Sequence, residues 1–275
     1  MTLGIVGEGT LTERIRDAVA AETGVTRGPA SDVVAADPES VVAVGESALL
    51  ALVREGVDAP VLPVDAGPGY GGVASSDATL TDETATDTDA ESSVETDSDS
   101  ADAQPESVSS ALDALLAREF ETDSRAVLAV TVDGEHVGRA LADVTLVTSE
   151  PARISEYAVE SRGEQVAQFR ADGVVVSTPT GSHGYGRNAG GPLLEPGTGV
   201  VSVVPVASFA VNVDHWVLSV DRSVALTVER DEGEVSLLLD DRNVCTVSTD
   251  THVEVVEDDV LELVRVPESR PFFER

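Results

Sequence analysis

Residues 172–192, DGVVVSTPTGSHGYGRNAGGP, crowd Thr178, Thr180, Ser182, His183 and Tyr185 among glycines. Hydroxyls and backbone amides can donate to anionic oxygen, glycines let the main chain approach a ligand closely, and a tyrosine ring offers a flat face. The elements that must hold these groups are readable from the same run. Val174, Val175, Val176 and the β-branched Thr178 favour a strand, and Pro179 stops ladder pairing. Thr180, Gly181, Ser182 and Gly184 then form a turn, and Gly190-Gly191-Pro192 allows a sharp exit. The spacing predicts a ligand loop on the rigid edge of a strand, although small residues alone also fit a tight connection in an all-β domain. His183, with an ordinary pKa of about 6.5, could donate to a phosphate or shuttle a proton, or have no chemical role in the loop.

Composition sets the surroundings. The chain carries 51 acidic and 17 basic residues, a formal charge of -34, and every basic residue other than histidine is arginine. Such an excess repels itself unless concentrated salt shortens the Debye length, to about 3 Å near 1 M, so a halophilic, cytoplasmic protein is expected. Nucleic acid and anionic membranes are poor partners for this surface. The single Cys245 excludes an internal disulfide framework and a multi-cysteine zinc site, and His136, His215 and His252 are too dispersed to suggest one. No apolar run reaches membrane-spanning length, and the first residues lack the basic and apolar regions of a signal peptide.

Along the chain, 3–6 reads as a strand and 11–21 as a helix, with Leu11, Ile15, Ala18 and Val19 at helical spacing. Val33-Val34 precedes a turn at Asp37-Pro38, and strands at 40–44 and 61–64 flank a helix at 48–54. This alternation predicts a Rossmann-like α/β domain with a parallel sheet over 1–120. Within it, 75–107 is nearly all Asp, Glu, Ser, Thr and Ala, a composition that predicts a disordered acidic insertion. After a helix at 108–120 come strands at 126–132, 140–147, 164–169, 173–178, 199–204, 216–220, 224–229, 234–239, 244–248, 252–256 and 260–266. So many short strands predict an all-β sandwich over 121–266, followed by a tail, 267–275, whose Phe272 and Phe273 form an aromatic plug.

The loop string resembles the signature of the NAD kinase family: Asp-Gly, a strand, Thr-Pro-Thr-Gly-Ser, a Tyr three residues on, then Ala-Gly-Gly-Pro. Here these are Asp172-Gly173, Thr178 to Ser182, Tyr185 and Ala189 to Pro192, with His183-Gly184 and Asn188 departing from the usual residues. The α/β half followed by a β half resembles the same family. Residues 41–66 look like its strand, Gly-Gly-Asp-Gly-Thr turn and helix, with Val44-Gly45-Glu46-Ser47-Ala48 over the turn. Gly7-Glu8-Gly9-Thr10 reads closer letter by letter, but it follows the first strand and does not precede the Leu-Leu helix.

The resemblance implies ATP-dependent phosphorylation of the 2'-hydroxyl of NAD, with Mg2+ bridging the ATP phosphates. It gives Glu46 the place of the catalytic aspartate, with Gly45 and Ser47 facing phosphate. Asp143, Thr178, Thr180, Gly181, Ser182, His183, Tyr185 and Asn188 would line the dinucleotide, and Asp172 would meet the nicotinamide carboxamide. A homodimer or homotetramer is implied. Because Glu46, Ser47 and Ala48 depart from the family turn while the NAD-side loop is better kept, a non-catalytic dinucleotide sensor is the alternative. Kinase activity on another diphosphate or a lipid-like alcohol is a third reading.

Overall fold

The computed structural model describes residues 2–19, 24–75, 106–150, 153–210 and 213–273, so the acidic insertion expected at 75–107 lies almost wholly outside the described residues. Strands β1 (Thr2–Val6), β2 (Gly24–Arg27), β3 (Ser40–Val44) and β4 (Val61–Val64) run parallel in the order β2-β1-β3-β4. The runs in β1, β3 and β4 are almost continuously apolar, as strands covered on both faces require. Helices α1 (Thr10–Val19) and α4 (Glu106–Ala117) cover one face, packing Ile15, Val19, Leu112 and Leu115 with Leu3, Ile5, Val42 and Leu62. Helices α2 (Ala30–Ala35) and α3 (Glu46–Glu55) cover the other through Val33, Leu49, Leu52 and Val53. Strand β2 and helix α2 carry no strong periodic signal, and Val33-Val34 belongs to that helix.

The second half is antiparallel, apart from one parallel junction with the first. Its strands are β5 (Glu121–Val132), β6 (Glu135–Ala140), β7 (Asp143–Thr148), β8 (Ser155–Ser161), β9 (Glu164–Ala171), β10 (Gly173–Ser177), β11 (Val200–Val206), β12 (Trp216–Ser219), β13 (Val224–Arg230), β14 (Val235–Leu239), β15 (Arg242–Val247) and β16 (His252–Arg265). One sheet runs β12-β11-β10-β7-β14-β15, and the other continues the parallel sheet through β4-β16-β13-β8-β9, with β5 beside β16 and β6 beside β5. The junction is a parallel pairing of Leu263 with Val61. Between the sheets lies a core that includes Leu128, Leu146, Tyr157, Val174, Val176, Leu226, Leu237 and Val255. The chain thus has a mostly parallel α/β sheet in its first half and antiparallel β layers in its second.

Two sequence expectations are corrected. Residues 140–147 form not one strand but the end of β6 and all of β7, because the chain turns at Leu141-Ala142. Residues 252–266 form not two strands but β16, whose register shifts against β5 between Glu257 and Asp259, absorbing the acidic stretch that looked like a break.

Candidate functional site

A cavity of about 310 Å³ is lined by Glu46 at the start of α3, Tyr70 from the loop after β4, Asp143 at the start of β7, and Thr180, His183 and Tyr185 from the loop after β10. Helix α3 begins directly at Glu46 because Gly45 breaks the extended run of β3 with φ 88°. That conformation is cheap only for glycine. No side chain caps the first turn of α3, so its leading N–H groups point out of the helix end. The Tyr70 hydroxyl donates to Glu46 Oε1 at 2.7 Å, and Tyr70 itself is only 4% exposed. Burial first, and then the Glu46 carboxylate, push the Tyr70 phenol well above its ordinary pKa.

Asp143 is held from beneath. The Asp240 carboxylate accepts three backbone N–H groups, from Leu141 at 3.0 Å, Ala142 at 2.8 Å and Asp143 at 3.0 Å. Asp240 N–H in turn donates to Asp143 O at 2.9 Å, so the β14–β15 hairpin tip locks the turn that aims Asp143. Burial raises the Asp143 carboxyl to about 7, against the lowering effect of the neighbouring Ser177 hydroxyl, with the Asp240 and Glu46 charges adding to the rise. Asp240 is also raised by burial, with its three backbone donors opposing.

The loop 178–191 sits on that turn. A Cβ at Gly181 would collide with the Ala142 carbonyl oxygen and come within 2.6 Å of Asp143 Oδ1, which is why only glycine fits there. The Thr178 hydroxyl donates to Leu141 O at 2.6 Å and accepts from Gly181 N at 3.2 Å. The Ser182 hydroxyl donates to Pro179 O at 2.6 Å and accepts from Leu194 N at 3.1 Å. Both hydroxyls, expected to face a ligand, are buried and spent inside the loop. Thr180, Gly181, His183 and Tyr185 do reach the cavity, with Tyr185 on its rim at 44% exposure. Ser182 therefore shapes the loop from within, while Thr180 faces the cavity.

Asp172 and Asn188 are not among the residues lining this cavity. Asp172 precedes the five residues of β10 while the loop follows them, a separation of roughly 17 Å along an extended strand. Asn188 is exposed at the end of a short helix, Tyr185–Asn188. The residues that sequence reasoning missed are Tyr70 and Asp240. Tyr70 sits in a Gly-Pro-Gly-Tyr-Gly-Gly run whose only local signal is a turn, and Asp240 sits in an Asp-Asp pair that signals no more than a hairpin turn.

A second cavity, of about 830 Å³, lies at the C-terminal ends of β1, β2 and β3 and is lined by Gly7, Glu8, Gly28, Gly45, Glu46 and Ser47 among others. The rejected Gly7-Glu8 segment and the turn at Gly45 to Ser47 therefore meet in one place. Glu46 lines both cavities. Among the described residues, no group of three His, Cys, Asp or Glu is set to hold a metal ion. No helix among them is long and apolar enough to cross a membrane.

The C-terminal tail braces both walls of the first cavity. Arg265 Nη1 donates to Gly71 O at 2.9 Å and to Arg270 O at 2.7 Å, and Arg270 N donates to Gly72 O at 3.0 Å. Phe272 meets the His183 ring edge-on at 4.5 Å.

Residues 141–261 match the ATP-NAD kinase C-terminal domain. The NAD kinase of Methanospirillum hungatei is 30% identical over 155 residues, 56% of this chain and 57% of that protein. The NAD kinase of Methanoregula boonei is 31% identical over 176 residues, 64% of each. The chain thus spans a little over half the length of the first such relatives. Among solved structures, an NAD kinase from Archaeoglobus fulgidus in complex with ATP superposes with TM-score 0.70 at 20% identity, covering 96% of this chain and 92% of that one. Yeast NADH kinase complexed with NADH superposes at TM-score 0.72 and 14% identity, covering 98% and 84%. The second half of the chain is thus similar in sequence to the C-terminal domain of ATP-NAD kinases, and nearly its whole length shares their fold.

Proposed function

We propose that this protein is an NAD kinase that transfers the γ-phosphoryl group of MgATP to the 2'-hydroxyl of NAD. The observation that carries this reading is the position of Glu46, which lines both the cavity containing Asp143 and Tyr185 and the cavity at the ends of the parallel strands. Ligands of open α/β sheets bind at the carboxyl ends of the strands, and the uncapped first turn of α3 favours phosphate there. NAD would occupy the first cavity, with its ribose hydroxyls near Asp143 and a ring against Tyr185. Glu46 would accept the proton of the 2'-hydroxyl as its oxygen bonds to the γ-phosphorus and the bond to the β-phosphate oxygen breaks, leaving ADP. Magnesium would come with the nucleotide, since this ion binds chiefly through phosphates and one or two carboxylates.

The surface charge supports activity in concentrated salt, in a halophilic cytoplasm, and the exposed Phe209 and Val217 support self-association into a dimer or tetramer. One observation favours a non-catalytic dinucleotide-binding relative instead: the catalytic position holds Glu46 with Ser47 and Ala48 behind it, while the loop 178–191 is kept. Incubating the protein with NAD and MgATP in molar KCl separates the two readings. NADP should accumulate; binding of NAD without any NADP would rule the kinase out.

A further inference from the structure

Thr180 lines not only the main cavity but a smaller one of about 150 Å³, shared with Ser124, Arg125, Pro179, Gly197 and Gly199. Arg125 is 1% exposed, an unusual position for a guanidinium. One edge of it is occupied: Nη1 lies 2.9 Å from Asp123 Oδ1, and a face lies over the Phe272 ring with Cζ 5.4 Å from the centroid. The other edge is not. Nε and Nη2 are both buried without a hydrogen-bond acceptor. These two nitrogens form the side-on fork of the guanidinium, whose parallel N–H bonds match two oxygens of a carboxylate, phosphate or sulfate.

We propose that this cavity binds a small tetrahedral oxyanion of phosphate size, gripped in bidentate fashion by Nε and Nη2 of Arg125. The volume is ample for one phosphoryl group. Asp123 already balances part of the guanidinium charge, so the site holds its anion by geometry and burial as much as by net attraction. Glu257, exposed at the rim, disfavours bulkier or more highly charged anions by repulsion. Through Thr180 the occupant touches the wall of the main cavity, so the anion would steady the loop after β10. The phosphate could be free orthophosphate or a phosphoryl group of a nucleotide lying in the adjoining cavity. Neither source depends on whether the chain transfers phosphate.

The test is titration of the full chain with orthophosphate in molar KCl, followed by calorimetry and by 31P line broadening. The wild type should show saturable one-to-one binding, Arg125→Met should weaken it at least tenfold, and Arg125→Lys, a point charge without the fork, should recover only part. Should Arg125→Met fail to fold, Ala126→Phe fills the cavity while keeping the guanidinium, and it should abolish binding with the circular dichroism unchanged. Repeating the titration with saturating NADP distinguishes the sources: competition assigns the site to a nucleotide phosphoryl group, and simultaneous binding assigns it to free orthophosphate. Absence of saturable binding in the wild type, or equal binding in Arg125→Met and Ala126→Phe, overturns the proposal.

Discussion

The Tyr70 hydroxyl donates a 2.7 Å hydrogen bond to Glu46 Oε1, tying the loop after β4 to the first residue of α3. A glutamate has one more rotatable bond than an aspartate, and this contact removes that freedom. Oε2 is left as the oxygen that would take up a proton in the proposed transfer.

Replacing Tyr70 by Phe deletes the donor and keeps the ring. A hydrogen bond to a charged group contributes about 1.5–3 kcal/mol, so turnover should fall roughly 10- to 100-fold if most of it orients the carboxylate. Steady-state kinetics should show the loss in kcat, with KM for NAD within a few-fold.

Asp143 carries a pH signature. Its folded pKa of about 7 lies above the ordinary 3.8, so between these values the native state binds more protons than the unfolded chain. Stability should therefore be greatest below about pH 4 as far as this group is concerned, and should fall as pH rises through 7, by roughly 4 kcal/mol in total. Asp143→Asn should flatten that slope, visible as a higher melting temperature than wild type at pH 8 and little difference at pH 4. The same variant should bind NAD more weakly.

Asp240 is a structural carboxylate beneath one proposed to meet the ligand. Asp240→Ala strands three backbone donors at Leu141, Ala142 and Asp143. Leaving buried donors unmade costs about 1–3 kcal/mol each before relaxation, so urea unfolding should show a loss of at least roughly 2 kcal/mol. Asp240→Asn, which keeps one acceptor oxygen, should fall between.

Gly181 and Gly184 make a matched pair. An added methyl at Gly181 meets the Ala142 carbonyl oxygen and Asp143, whereas at Gly184 its nearest neighbour is Gly181 O at 3.4 Å. Calorimetry should find that Gly181→Ala weakens NAD binding at least tenfold, and that Gly184→Ala changes it little.

The sequence was most informative where chemistry is local. Apolar runs placed β1, β3, β4 and α3, and the string from Thr178 to Tyr185 placed the loop that lines the main cavity. What it could not show is which hydroxyls remain free after folding: Thr178 and Ser182 have the right chemistry, but their oxygens are consumed by Leu141, Gly181, Pro179 and Leu194. Tyr70 and Asp240 were illegible for the converse reason. Their partners lie 24 and about 100 residues away, and a turn tyrosine or hairpin aspartate has no periodicity to mark it. Arg125, just before the strand expected at 126–132, has no local sequence signal; only its burial sets it apart.

Glu46 is proposed to stand between a dinucleotide and a nucleoside triphosphate. The most direct measurement is the rate of NADP formation by wild type and Glu46→Gln in molar KCl, with NAD and ATP affinities measured on the same samples. A neutral amide of equal size should leave both affinities within a few-fold and lower turnover at least 100-fold, in the range ascribed to a positioned general base. Equal turnover by the two proteins would contradict it.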